Sequence, residues 1–357
     1  MYAKRELLYG RLRSKLRGVP EAFLIFLLIQ AVSFGAAQTP HAASAAKTST
    51  YPLIQVGGAR LRIDLEGATP DLPKSAIEEH LLRAAQAAAV YYGRFPVSEA
   101  RIVVFVSAGQ DAMLQGTTWG NVDGFPAVTR LRMGQHTTEQ ELGGDWIATH
   151  ELVHMSLASL PDAQHWLEEG IATYVEPIAR VRAHHMDVNQ MWFEVVRDMP
   201  KGLPGPGDEG LDHTHTWGRT YWGGALFCLL ADIEIHQKTE NKKGLQDALR
   251  GILDAGGNIS QDWDLQKAFE VGDQATGVSV LMPLYEKMKD QPHPVDLPAI
   301  WAQLGIERQG DTVRFLDSAP LAKTREAITW GATSAAVTPK QSSALENLTI
   351  FAGRMRN

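Results

Sequence analysis

The chain has 357 residues, is 44% hydrophobic and 21% charged, and carries a formal net charge of −7 with a single cysteine. That length suits one large or two ordinary domains, and the composition is that of a soluble globular protein without low-complexity tracts. Net acidity argues against nucleic acid or anionic lipid as the main partner, one cysteine cannot close an internal disulfide, and no repeat of about 20–50 residues points to a solenoid.

Residues 1–37 stand apart. "MYAKRELLYGRLRSKLRGVPE" holds six Lys/Arg against two Glu, and "AFLIFLLIQAVSFGAA" is apolar, with Gly35 and Ala37 as small residues for a cleavage site. This is the order of a secretory signal peptide. The alternative is a retained N-terminal membrane anchor, since the apolar run falls only slightly short of a spanning helix. Either reading puts the bulk of the chain outside the cytoplasm, periplasmic or extracellular. Beyond residue 37 the chain has 28 basic and 39 acidic residues, a net charge of −11.

Residues 38–50, "QTPHAASAAKTST", read as a flexible linker. In "YPLIQVGGARLRIDL" two alternating runs flank Gly57-Gly58, which predicts a hairpin. "PKSAIEEHLLRAAQAAAVYYGRF" predicts an amphipathic helix between Pro73 and Gly93. "ARIVVFVSA" (100–108) predicts a buried strand, and "PAVTRLRMG" (126–134) a strand with one exposed face. Asp145 is placed to cap the helix that follows Gly143-Gly144.

From there the pattern turns helical, through "HWLEEGIATYVEPIARVRA", "NQMWFEVVRDM", "TYWGGALFCLLADIEIHQ", "GLQDALRGILDAG" and "DLQKAFEVG". A long loop over 202–213 could border a cleft. Cys228 reads as a small core residue, and Trp119, Trp166, Trp192 and Trp217 as core rather than a binding platform. His184 and His185 read as solvated helix residues. From about Ala332 the chain is Ser/Thr/Ala-rich, a flexible tail over 332–357. Strands first and helices after make an α+β fold, with a catalytic domain over 51–331 made of a sheet lobe (51–160) and a helical lobe (161–331).

One stretch carries chemistry. "THELVHM" places His150 and His154 at i and i+4, so both imidazoles leave one helix face and can ligate one Zn²⁺. Glu151 stands beside that point and can reach a water there. A catalytic zinc takes three protein ligands, so one more is needed. "HWLEEGIATYVE", starting 11 residues after His154, offers Glu168 and Glu169. Glu169, Thr173 and Glu176 share one helical stripe, which suits a ligand with a supporting carboxylate two turns on. His213 and His215 in "LDHTHTW" read as loop residues, with a second metal or cleft lining as the alternative.

"HELVH…WLEEGIATYVE" resembles the gluzincin metallopeptidases, in particular the M1 aminopeptidase-like (peptidase MA) group, with its HExxH motif and "WLxEGxAxYxE" helix. The resemblance spans roughly residues 100–230. It implies a thermolysin-like two-lobed zincin with a mixed-sheet N-lobe and a helical C-lobe. It also implies Zn²⁺ held by His150, His154 and Glu169, Glu151 as general base, Glu176 as the supporting carboxylate and a peptide or protein substrate. "RTYWGGALF" is similar to the group's "YxKGA" helix start, which points to Tyr221 as the donor to the tetrahedral intermediate, although Gly223 stands where that pattern has Lys.

Two departures matter. The 14 residues between His154 and Glu169 are fewer than M1 enzymes have, which suits a smaller relative. No "GxMEN" segment is present; "GNVDGFPAVTRLRMG" takes its place, and Asp123 is its one acidic residue. The expectation is therefore a zinc peptidase that need not be an aminopeptidase, with 126–134 as the edge strand along which substrate lies. A cell-wall amidase or other non-peptide amide hydrolase and a non-catalytic binding protein on the same fold are the alternatives.

Overall fold

A computed structural model describes residues 53–331; the N-terminal signal or anchor, the linker and the tail from 332 fall outside them. Five strands form one mixed sheet in the order β1-β2-β3-β5-β4: β1 (Leu53–Val56), β2 (Ala59–Gly67), β3 (Glu99–Ser107), β5 (Phe125–Gly134) and β4 (Met113–Val122). β1–β2 is the expected antiparallel hairpin, and β2–β3 and β3–β5 are parallel. Helix α1 (Lys74–Tyr92) makes the crossover that a parallel β2–β3 pair requires. It buries Ile77, Leu81, Ala84, Ala85 and Ala88 with Leu61, Ile63, Ile102 and Val104 of the sheet.

The sheet corrects one expectation. Residues 126–134 are not an edge strand: β5 is paired with β3 on one side and β4 on the other. The edge on that side is β4, which leads into β5 through a tight turn at Asp123-Gly124 and folds antiparallel outside it; β1 forms the opposite edge. Trp119 on β4 is 43% exposed and Trp217 is 38% exposed, so these two are not core, whereas Trp166 and Trp192 are buried. Cys228 is buried as expected. His184 and His185 lie in the turn after a helix, His184 at positive φ, rather than on the helix itself.

Two short helical pieces follow the sheet, α2 (Glu139–Gly144) and the motif helix α3 (Ile147–His154). Next come α4 (His165–Arg182), α5 (Val188–Asp198), a π-helical turn (Gly218–Gly223) and α6 (Gly224–Lys238). Helices α7 (Leu245–Asp254), α8 (Leu265–Thr276), α9 (Leu281–Met288) and α10 (Leu297–Leu304), the β6–β7 hairpin (Ile306–Gln309, Thr312–Phe315) and α11 (Ala322–Trp330) complete the described chain.

The buried apolar residues fall into a sheet core and a helical core. Ala148, Leu152 and Met155 belong to the first, and Val153 and Leu157 to the second. The motif helix therefore lies at the seam between them. Among the described residues no helix is long and apolar enough to cross a membrane.

Candidate metal centre

The motif helix is fixed at its start by Asp145, whose carboxylate accepts the backbone N–H groups of Ile147 (2.9 Å) and Ala148 (3.1 Å). His80 of α1 pairs with the same carboxylate at 3.0 Å, both side chains being buried. This is the expected cap, with a partner from α1 that the local sequence does not announce. At the other end Glu168 accepts the N–H of Leu160 at 2.8 Å and pairs with His165 at 3.0 Å. Those bonds turn Glu168 away and leave Glu169 as the carboxylate that meets the histidines.

Three donor atoms converge. His150 Nε2 is 3.1 Å from Glu169 Oε2, His154 Nε2 is 3.6 Å from that same oxygen, and the two imidazole nitrogens are 3.2 Å apart. Donors about 2.0–2.1 Å from one tetrahedral Zn²⁺ stand about 3.3–3.4 Å from each other, so the triangle has the right size. Its donor set, two imidazoles and a carboxylate, is also one that zinc takes. Glu151 lies within 4.8 Å of both histidines, near enough to act on a water there yet outside the tighter triangle. His213 instead pairs with Asp290 at 2.9 Å, and no second group of this kind occurs among the described residues.

Charge in the cluster is uneven. Burial alone would lower the pKa of His154, but the charge of Glu169 and its hydrogen bond outweigh that and raise it to about 9. Burial would raise Glu169, yet the charge of His154 and bonds from His150, His154 and His165 hold it well below the usual carboxylate range. The field that raises the proton affinity of His154 equally favours a cation at the meeting point of the donors. Glu151 behaves differently: burial raises its pKa, and the nearby histidines and Thr118 only partly oppose this. A carboxylate with raised proton affinity beside a metal point is suited to general-base work.

Tyr221 lies over the cluster. Its ring stacks on His150 at 6.0 Å between centroids and 14° between planes, and Trp217 also stacks on it at 5.7 Å and 25°. Burial, then the charges of Glu169 and Glu151, keep its hydroxyl protonated. The approach of α4 and α6 makes this possible: a Cβ on Gly170 would meet the Gly224 carbonyl carbon at 2.3 Å. Only glycines at both positions let the two backbones touch, which brings Tyr221 over Glu169.

Glu176 does not support a histidine. It is buried in an ion pair with Arg180 at 2.9 Å, and His150 Nδ1 has no hydrogen-bond partner among the described residues. Residues that the sequence did not reveal do hold Glu151. Thr118 of β4 donates to Glu151 Oε2 at 2.8 Å, and a Cβ on Gly116 would come within 2.2 Å of Glu151 Cγ. Gly116→Ala should therefore displace Glu151 and lower kcat while leaving zinc content unchanged. Parallel assay and elemental analysis check this; unaltered kcat would show that the Glu151 position is not critical.

No protein-family model matches the sequence, and a search of curated proteins finds no match. Solved structures do match. An aminopeptidase N family protein from Idiomarina loihiensis is 14% identical, with a TM-score of 0.56 over 73% of this chain and 50% of that one. The chain shares the fold of this aminopeptidase N family protein. An M1 zinc metallopeptidase from Deinococcus radiodurans is 15% identical over 69% of this chain and 53% of that one, with a TM-score of 0.42. A variant from the same organism, bound to a Tyr-Ser-Ala substrate, is 14% identical over 69% and 52%, with a TM-score of 0.44. This chain thus spans about half the length of the M1 structures it matches. The mixed sheet and its many helices fit the fold of the aminopeptidase N family protein.

Proposed function

We propose that this chain is a zinc-dependent peptidase with the thermolysin-like arrangement of its lobes, a catalytic domain over 51–331, and Zn²⁺ as its cofactor. The observation that carries the reading is the convergence of His150, His154 and Glu169 within 3.1–3.6 Å. Glu151 stands beside them and Tyr221 above. His150, His154 and Glu169 would hold the ion. When bound, zinc supplies a Lewis acid for the scissile carbonyl and lowers the pKa of a water towards ~7.

The side chains perform the rest. Glu151 accepts a proton from the attacking water and passes it to the leaving amine. Thr118 keeps the Glu151 carboxylate aimed. Tyr221 donates a hydrogen bond to the oxygen that gains charge in the transition state. An extended peptide adds to the sheet along β4, the edge strand, whose side nearest the motif helix carries Gly116 and Thr118. The N-terminal signal peptide or anchor supports export to the periplasm or the cell exterior, and the net acidity of the chain suits a protein substrate better than nucleic acid.

Substrate termini have no obvious carboxylate partner on this strand. Strand β4, "MLQGTTWGNV", contains no Asp or Glu, and Asp123 is turned to Arg101 at 3.3 Å. Peptides with blocked amino termini should therefore be cut at internal bonds at least as fast as aminoacyl-anilides are hydrolysed. A panel of blocked peptides, anilides and peptidoglycan, each with and without chelator, tests this. Turnover of anilides alone would restore aminopeptidase specificity. Turnover of peptidoglycan alone would favour a cell-wall amidase, and turnover of none would favour a binding protein.

A further inference from the structure

We propose that the buried Asp208–Arg219 ion pair positions Tyr221, an inference that rests on the peptidase reading above. Tyr221 does not sit on a regular helix. It is carried by the π-helical turn Gly218–Gly223, a conformation that recurs at functional sites and must be held by its surroundings. Arg219 lies two residues earlier. Side chains at that spacing do not share a face, so Arg219 enters the protein while Tyr221 faces the cluster.

The contacts of Arg219 span the turn. Its side chain is 4% exposed, and Nε lies 2.6 Å from Asp208 Oδ2, on a side chain 2% exposed, a contact between charges rather than an aligned hydrogen bond. Nη1 donates to the Gly202 carbonyl and also faces Gly223, where a Cβ would stand 3.0 Å away. Asp208 in turn accepts the N–H of Gly210 at 3.0 Å. One guanidinium thus ties the start of the turn to Asp208 in the 203–216 loop and to Gly202 just before it, and packs close against Gly223 at the turn's end. That loop is itself anchored where Asp212 accepts from the Trp166 indole at 2.7 Å and the Gln164 amide at 2.8 Å.

Stability alone does not explain such a pair. Desolvating two charges offsets much of their attraction, and apolar residues of similar volume commonly stabilise as well or better. A buried charge must keep its one partner, however, because losing that partner is far costlier than sliding an apolar contact. The pair is suited to holding one register of the turn, and with it the stack of Tyr221 on His150.

The test uses the full chain with Asp208→Asn, Arg219→Lys and the paired apolar swap Asp208→Leu/Arg219→Met, each alone and with Tyr221→Phe. An internally quenched peptide with a blocked amino terminus is the probe, and zinc content and thermal midpoint are measured throughout. In the wild-type background kcat should fall by about 10²-fold, the scale of a displacement near 1 Å, with KM little changed. With Tyr221→Phe present, the same changes should cost almost nothing more, because the hydroxyl they position is gone. Equal losses in both backgrounds, or losses that follow zinc content or melting, would overturn the proposal.

A second readout does not depend on turnover. In crystal structures of the folded variants the Tyr221 ring should leave its parallel stack on His150; a ring that stays in place overturns the proposal. Should Arg219→Lys fail to fold, the apolar swap removes the charges without leaving one unpaired and gives the same reading. Absence of any peptidase activity in the wild type, or a silent Tyr221→Phe, would instead count against the peptidase reading, and the ring position would then judge the tie by itself.

Discussion

Glu151→Gln should lower kcat by about 10³–10⁴-fold, the upper range for loss of a general acid–base group, while zinc content and KM should stay near wild type. That loss corresponds to about 4–5.5 kcal/mol of transition-state stabilisation. Glutamine keeps the volume beside Gly116 and can still bond to Thr118, so the fold has no reason to change. It cannot accept the proton.

The pH profile gives the sign. Burial raises the pKa of Glu151 above its ordinary 4.5, and the base works only when ionised. In the zinc-loaded wild type kcat/KM should fall as pH drops through the pKa of Glu151, and this acid limb should be absent from the variant. The raised pKa also means that the fold disfavours the charged form. Its contribution to stability is full below the unfolded pKa and is lost as pH rises through the folded one. Metal-free Glu151→Gln should therefore be at least as stable as metal-free wild type near neutral pH. Near-wild-type kcat in a zinc-loaded variant would remove Glu151 from the mechanism.

Tyr221→Phe should lower kcat by about 10²–10³-fold, or ~3–4 kcal/mol, with little change in KM. The hydroxyl is kept protonated by burial and by the charges of Glu169 and Glu151, so it can donate throughout the working pH range. A bond that forms mainly in the transition state affects kcat rather than ground-state binding. Phenylalanine preserves the ring and its stacks on His150 and Trp217. Zinc must be measured in parallel, because lost metal mimics lost chemistry. Full zinc with unchanged kcat would return Tyr221 to a packing role.

Local signals in the sequence carried the reading as far as local physics reaches. Helix α1, strand β3, the Gly57-Gly58 hairpin and the Asp145 cap each follow from periodicity or a single residue type. Spacing was enough to bring His150 and His154 onto one face. Choosing Glu169 over Glu168 needed the family resemblance, and the geometry gives the reason, since Glu168 is held by Leu160 and His165.

Long-range pairing was not legible. Strand β4 lacks the β-branched run that marks β3, and its register depends on a partner rather than on itself. The Asp123-Gly124 turn was the signal available, since Asp-Gly between extended runs marks a hairpin. Reading it would have moved the edge from β5 to β4. Thr118, Gly116 and the Gly170–Gly224 contact meet the site only after folding, from far apart in the sequence. Asp208 and Arg219 lie close in the sequence, yet no local pattern marks them as a buried pair.

Zinc stoichiometry is the most direct test of the central claim. Elemental analysis of protein from metal-replete expression, after dialysis, should find close to one zinc per chain, as a His₂Glu set with an open position implies. His150→Ala should lose that zinc. Wild-type protein without zinc, together with His150→Ala of unchanged stability, would contradict the account.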